Sequence, residues 1–315
     1  MSNPIISVEG ISHLYSDRLA LNNVSFQIGK GEVFCFLGPN GGGKTTMFKI
    51  LSTLITPTTG RAIVCGHDVV AESAEVRKHI GVVFQSPSLD LKLTVRENLR
   101  YHGLLHGLHG REASNRIDDT LRNLHLEDRR NEIVEKLSGG LQRRVEIGKG
   151  LLPSPDVLIL DEPSTGLDPG ARIDLWTYLL ELRKESGITI VVTSHILSEA
   201  EHSDRLAILD KGNLVALDTP AKLKREVGGE VISIETKNAE EVQSLLKRKF
   251  KLKSTLVDNT IRVEKRNGHQ FVPKIIEAFP GKISAVSVGT PTLEDVFIHR
   301  TGHRMRDEKN YGSDD

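Results

Sequence analysis

VFCFLGPNGGGKTTMFKIL, residues 33–51, joins a strand-like run to a helix-like run through one glycine-rich loop. Val33, Phe34, Cys35, Phe36 and Leu37 are unbroken apolar sequence, as expected of a strand buried on both faces. From Met47 the apolar residues return at helical spacing. Between them GPNGGGKTT, residues 38–46, fits G-x-x-x-x-G-K-[ST], and a strand before it with a helix after it is the context that pattern requires. Gly38, Pro39, Asn40, Gly41, Gly42 and Gly43 make a loop whose backbone N–H groups can turn inward on phosphate oxygens. The following helix adds the positive end of its dipole. Lys44 is placed to reach the β- and γ-phosphates and Thr45 to set a hydroxyl on Mg²⁺, with Thr46 beside them. The expected ligand is a nucleoside triphosphate with magnesium.

The surrounding sequence supplies a parallel α/β sheet to carry that loop. Short apolar, β-branched runs at 33–37, 81–84, 157–160, 189–193 and 206–209 alternate with helical patterns, and strands at 5–8, 24–28 and 61–65 read as antiparallel. The stretch 85–138 lacks strands and opens with Thr94-Val-Arg-Glu97, a capping box that starts a helical insert. VLILDEP, residues 157–163, is a second chemical constellation. Ligands of such sheets lie beyond the carboxyl ends of the strands. Asp161 stands at that end, where it can hold Mg²⁺ through water, and Glu162 follows, placed to polarise an attacking water. LSGGLQRR, residues 137–144, is a third: Ser138 reads as an N-cap, with Gly139 and Gly140 baring the first amides of a helix.

Composition limits the alternatives. At 315 residues the chain has room for about two domains. Its 42 Lys+Arg balance 42 Asp+Glu, which argues against a general nucleic-acid binder. No apolar run approaches the roughly 20 residues that span a bilayer, and the N-terminus lacks a signal-peptide pattern. Cys35 and Cys65 alone imply no disulfide framework, so a reducing cytoplasm is expected. Cys35 reads as a small buried hydrophobe.

Taken together, these motifs resemble the nucleotide-binding subunit of ABC transporters. The resemblance implies a P-loop NTPase core of the RecA-like kind with an antiparallel β subdomain and a helical subdomain, over residues 1–218. It implies that Leu137, Ser138, Gly139, Gly140 and Gln142 form the signature acting on ATP held by a partner subunit. Gln85 then corresponds to the glutamine that contacts Mg²⁺ and senses the membrane partner, Asp168 in STGLD to the dimer seam, and His195 to the histidine on the γ-phosphate. Tyr15 falls where the family stacks an aromatic ring on adenine. Lys44, Glu162 and His195 are the expected catalytic groups, ATP and Mg²⁺ the expected cofactors. The expected partners are an integral-membrane permease and a second nucleotide-binding subunit in a head-to-tail dimer, with no nucleic acid; the expected place is the cytoplasmic face of the membrane. Gly42 stands where many members carry Ser or Ala, which implies extra loop flexibility at a cost of roughly 0.5–1 kcal/mol.

After residue 218 the pattern changes. A charged linker at 219–229 precedes a β-α-β-β-α-β order over 230–302, the split βαβ or ferredoxin-like arrangement, with a disordered tail expected at 303–315. PTLEDVFIHRTG, residues 291–302, resembles the ending of daunorubicin-resistance-like ATPases, which serve exporters of drugs, lipids or polymers. Read from its residues, it is a short helix packing Leu293, Val296 and Phe297 on the main domain. Import, a non-transport ATPase of DNA repair or the ribosome, and a ligand-regulated C-terminal module stay open. The histidines of YHGLLHGLHG, His102, His106 and His109, are expected to be exposed and to bind no metal.

Overall fold

The computed structural model describes residues 3–305 and divides into two compact units between Leu214 and Val215. A six-stranded sheet runs in the order Asn213–Asp218, Arg205–Asp210, Val33–Leu37, Thr189–Ser194, Val157–Asp161, Ile80–Val83, and the boundary between the units falls within Asn213–Asp218. Val33–Leu37 lies parallel to both of its neighbours, and Val157–Asp161 parallel to both of its own. Val33–Leu37 and Val157–Asp161 are buried at every position, which is why neither sequence alternates. Their carboxyl ends therefore open at one edge of the sheet and deliver the phosphate loop and the Asp161–Glu162 pair side by side.

A second, antiparallel sheet runs Arg18–Ile28, Ile6–Tyr15, Thr59–Val64, His67–Asp68. Its first two strands are longer than expected. Register shifts between Val8 and Ile11 and between Ile11 and Leu14 mark bulges, which bend and twist such a strand. The hairpin closes at Tyr15 against Arg18. Two strands went unread: His67–Asp68 is two polar residues long, and Asn213–Asp218 follows a tight turn at Lys211 and Gly212, both at positive φ.

The insert contains helices Val95–Leu105 and Gly110–Asn123, and the Thr94/Glu97 capping box is present as expected. Val95, Leu99, Ile117, Leu121 and Leu124 share a core with Val145, Ile147 and Leu152 of the signature helix and its end. The five expected parallel strands are all present, displaced by at most a residue or two at their ends.

The second unit has an antiparallel sheet ordered Thr255–Val257, Thr260–Lys265, Glu230–Glu235, Ala285–Gly289, with helices Ala239–Phe250 and Val272–Ala278. Ile232, Ile234, Val242, Leu246, Ile261, Val263 and Ile275 make its core. The helix expected over 269–279 is broken into a 3₁₀ turn at Gly268–Gln270 and a helix from Val272, because Pro273 cannot donate and settles in a first turn. The charged stretch at 219–229, which reads as helical from Thr219-Pro220 up to the turn at Gly228-Gly229, holds helix Pro220–Glu226, capped by Thr219.

The terminal helix Leu293–Thr301 is present, with Leu293, Val296 and Phe297 buried. It makes polar contacts within the second unit. Asp295 closes a capping box with Thr292 and pairs with Arg262; Arg300 pairs with Glu226, and His299 Nδ1 lies 2.9 Å from Glu264 Oε1. His303, the first residue of the expected tail, packs its ring edge-on to Phe297 at 5.3 Å, and residues 306–315 of that tail lie outside the described residues. His102 also differs from expectation: it is half-buried rather than exposed, and burial, with His106 and Lys149 adding to it, pushes it down to about 4.

Candidate nucleotide site

The loop after Val33–Leu37 takes its shape from close backbone contacts. Gly41 and Gly43 have φ of 79° and 109°, the left-handed region that glycine tolerates, and Gly43 caps helix Lys44–Leu51. Gly38 and Gly42 are glycine for space. A Cβ on Gly38 would fall 2.1 Å from the Leu209 carbonyl oxygen, and one on Gly42 2.9 Å from the same atom. A side chain at Gly42 would therefore need the loop or strand Arg205–Asp210 to shift.

Lys44 is 3% exposed, and its Nζ donates to the carbonyls of Gly38 at 2.9 Å and Pro39 at 3.0 Å. It also lies 3.4 Å from Glu162 Oε1. Glu162 is 7% exposed and draws the rest of the site together. His195 Nδ1 is 3.1 Å from its Oε2, and the Gln85 amide donates to the same oxygen at 3.2 Å. Burial pushes the Glu162 carboxyl up, but the His195 hydrogen bond and the charges of Lys44 and His195 outweigh it and hold the group below its ordinary range. Asp161, next in the chain, moves the other way. Burial raises it and the Glu162 charge adds to the rise, against a 2.5 Å hydrogen bond from Thr193 Oγ1. Neighbouring carboxyls pushed in opposite directions are the arrangement that lets one hold a cation and the other act as a base.

Tyr15, Arg18, Ala20, Asn40, Gly41, Gly43, Lys44, Thr45 and Thr46 line a cavity of about 280 Å³. Tyr15 is 42% exposed, with the His13 ring edge-on to its own at 4.5 Å. The Thr45 hydroxyl, the Asp161 carboxylate and the Gln85 amide oxygen are hard oxygen donors, which suits Mg²⁺.

The signature stands elsewhere. Ser138 caps helix Gly139–Leu151, accepting from the Leu141 N–H at 3.4 Å, and Ser138 and Gly139 are exposed. Gly139 and Gly140 approach Leu167 and Ala171, so this terminus sits against the loop ending in Asp168. Asp168 caps helix Pro169–Ser186 through the Ala171 N–H at 3.0 Å. Gln142 turns back, donating to the Val134 and Leu137 carbonyls at 3.1 Å each, and so braces the approach to Ser138.

Three residues that matter here were not read from sequence. Arg18 lines the cavity opposite Tyr15. Arg143, 8% exposed, donates to the carbonyls of Phe84 at 2.7 Å, Pro163 at 2.8 Å and Asp161 at 3.3 Å. It ties the signature helix to the strand ends that bear Gln85 and Glu162. Glu199, 1% exposed, accepts from Ser164 and from Ser194 Oγ at 2.6 Å, and pairs with Arg172 at 3.4 Å. A sequence signal existed for Arg143 alone, which is in phase with the apolar Ile147 one turn on.

Comparison with known proteins shows the family. A family model described as ABC transporter matches residues 21–165, and one described as ATP-binding protein DrrA1-3-like, C-terminal domain, matches 219–301. The daunorubicin resistance ATP-binding protein DrrA3 of Streptomyces coeruleorubidus is 36% identical, over 97% of this chain and 98% of its own. The Nod factor export ATP-binding protein I of Cupriavidus metallidurans is 34% identical, over 96% and 99%. Among solved structures, cbiO1 from Clostridium perfringens, part of the ABC transporter complex cbiONQ, gives a TM-score of 0.67 at 28% identity, over 79% of this chain and 97% of that one. A dimeric ATP-binding cassette in a post-hydrolysis state with ADP and Pi gives 0.60 at 29%, over 68% and 98%. The chain belongs to the ATP-binding subunits of ABC transporters, in their daunorubicin-resistance-like branch, and is an ATPase of that family.

Proposed function

We propose that this chain holds ATP and magnesium on its phosphate loop, completes the site with the signature of a second subunit in head-to-tail register, and by hydrolysis drives a separate permease that exports a drug, lipid or polymer. One observation carries the reading: Lys44, Gln85 and His195 converge on Glu162, while the helix start at Ser138 and Gly139 is exposed beside Leu167 and Ala171 and is not among the groups on Glu162. Each chain then offers one half of a site and needs another chain for the second half.

Lys44 releases its loop carbonyls to the β- and γ-phosphates, and Tyr15 stacks on the adenine. Magnesium held near Thr45, Asp161 and Gln85 supplies charge neutralisation on the phosphates. His195 donates toward the γ-phosphate, and the partner's amides at Ser138 and Gly140 bind its remaining oxygens. Glu162, kept ionised by its neighbours, orients or deprotonates the water.

Among the described residues no helix is long and apolar enough to cross a membrane, so a separate permease carries the cargo. Tyr101 and Leu105 on the insert, 54% and 84% exposed, support a docking surface there, and the chain then works at the cytoplasmic face. The relatives named for drug resistance and Nod factor export favour export over import. Balanced charge gives no support to a nucleic-acid partner.

Glu162→Gln tests the reading. Removing a positioned base costs about 10²–10⁴-fold in turnover, so the variant should bind ATP, barely hydrolyse it and accumulate as a dimer. Lys44→Ala should instead weaken ATP binding. Wild-type turnover in Glu162→Gln, or unchanged ATP affinity in Lys44→Ala, would remove those residues from these roles.

A further inference from the structure

At the opposite edge of the parallel sheet, three side chains of different chemistry converge. Cys65 stands in the turn between Thr59–Val64 and His67–Asp68. His79 ends helix Ser73–His79 just ahead of strand Ile80–Val83, and Asp156 just precedes Val157–Asp161. The Cys65 sulfur, a ring nitrogen of His79 and a carboxylate oxygen of Asp156 all lie within 4.8 Å of one another. His79 Nδ1 is 2.7 Å from Asp156 Oδ2.

We propose that Cys65, His79 and Asp156 bind a zinc ion, with water in the fourth position. Zinc takes thiolate, imidazole and carboxylate ligands at about 2.0–2.3 Å, which spaces tetrahedral ligand atoms about 3.3–3.7 Å apart. The three atoms reach that spacing by small side-chain rotations, the ion taking the place of the proton between His79 and Asp156. The backbone beneath is already fixed. The Asp156 N–H donates to the His79 carbonyl at 2.9 Å, the Cys65 N–H to the Ile5 carbonyl at 2.8 Å, and Ile80 pairs with Val157 in the sheet. Donors on rigid elements make a prepared site. The His67 ring stacks on His79 at 5.6 Å and 18°, with its own Nδ1 3.2 Å from Glu72 Oε1, and so holds the His79 ring in place.

A sulfur ligand selects against magnesium and calcium, which take oxygen. His79 and Asp156 are 37% and 46% exposed, which leaves a solvent side for the water ligand. The turn itself gives no reason for cysteine. Cys65 and Gly66 have φ of 52° and 85°, the two-residue hairpin geometry that Asn-Gly fits best. An ion here would staple the hairpin to the helix and the parallel sheet. At about 3.3 Å per residue, strand Val157–Asp161 separates it from the nucleotide site by roughly 15 Å, so hydrolysis should not depend on it.

The test uses the full chain, stripped of metal and nucleotide, titrated with Co²⁺ and then Zn²⁺. The expected result is one cobalt per chain with thiolate-to-cobalt charge-transfer absorption, displaced by zinc, and a higher melting temperature with zinc. Cys65→Asn, which suits the turn and so should fold, should lose the thiolate band and the zinc-dependent rise in melting temperature while keeping wild-type ATP hydrolysis. His79→Gln should weaken zinc binding at least about tenfold, the loss that removal of even an outer partner brings. Cobalt binding without a thiolate band, or zinc stabilisation undiminished in Cys65→Asn, would overturn the site.

Discussion

Replacing Arg143 by Met should do more damage than its place outside the reacting groups implies. Methionine keeps much of the apolar stem and deletes a guanidinium that is 8% exposed and serves three carbonyls, at 2.7 Å, 2.8 Å and 3.3 Å. The two short bonds come from a charged donor to buried acceptors, worth about 1.5–3 kcal/mol each, and the acceptors would be left without it. Sparing the protein the burial of a charge returns part of that loss. Burial pushes the Arg143 pKa down, with Glu146 and Asp161 opposing, which is the sign of such a cost. A net loss of roughly 3 kcal/mol follows, or a melting temperature lower by about 6–12 °C at 2–4 °C per kcal/mol. The three carbonyls belong to Phe84, Asp161 and Pro163, immediate neighbours of Gln85 and Glu162, so the catalytic geometry loosens too. A misplacement of 1 Å can cost about 100-fold in rate. ATP affinity, which the proposed function assigns to Lys44 and Tyr15, should hold within a few-fold. Calorimetry, nucleotide binding and steady-state hydrolysis on the full chain read all three quantities. Arg143→Lys should fall between, since one ammonium cannot span three carbonyls. If Arg143→Met melts within about 2 °C of wild type and turns over normally, the guanidinium is not the tie described here.

Two further substitutions separate stability from chemistry. Asp161 has its folded pKa above the unfolded value, so its charge costs stability at neutral pH and the cost vanishes as pH falls below the ordinary carboxylate range. Asp161→Asn can still accept from Thr193, so without magnesium it should melt higher at neutral pH, by about 2–4 °C per kcal/mol relieved, converge with wild type in acid and hydrolyse no ATP; a lower melting temperature at neutral pH would refute the sign. Glu199→Ala leaves Ser164, Ser194 and Arg172 without their shared carboxylate, so kcat should fall about tenfold or more with KM for ATP little changed, and a pure rise in KM would place Glu199 elsewhere in the mechanism.

The residues legible in the sequence are those whose chemistry is carried by contiguous motifs. Lys44, Asp161, Glu162 and Ser138 each sit at a junction between strand, loop and helix that announces itself by composition. Arg143 and Glu199 escaped because their partners are backbone carbonyls and hydroxyls brought near only by the fold. In sequence they look like two of many charges on amphipathic helices. The same holds for His102, whose half-burial comes from the insert packing on the signature helix. The tight space at Gly42 is hidden for a related reason: the nearest atom to a Cβ there is the carbonyl oxygen of Leu209, 167 positions away in the chain. The helix break at Pro273 was legible in principle, since proline at an early helical position marks a start rather than an interior.

The resting geometry also bears on how a triphosphate could set the site working. Glu162 has φ of 43°, a left-handed conformation that costs a non-glycine residue about 1–3 kcal/mol. It is held there by its own N–H, which donates to Thr193 Oγ1 at 2.9 Å and lies 3.2 Å from the Thr193 carbonyl. Because the backbone is pinned, only the carboxylate has freedom, and its charge is shared between Lys44 on one oxygen and His195 with Gln85 on the other. An arriving γ-phosphate is a stronger counter-ion for Lys44 than one carboxylate oxygen. It would draw the ammonium off Glu162, free that oxygen for water and leave the other still oriented by Gln85. Binding would then uncover the base at the moment its substrate is in place, and the idle site would keep that base neutralised.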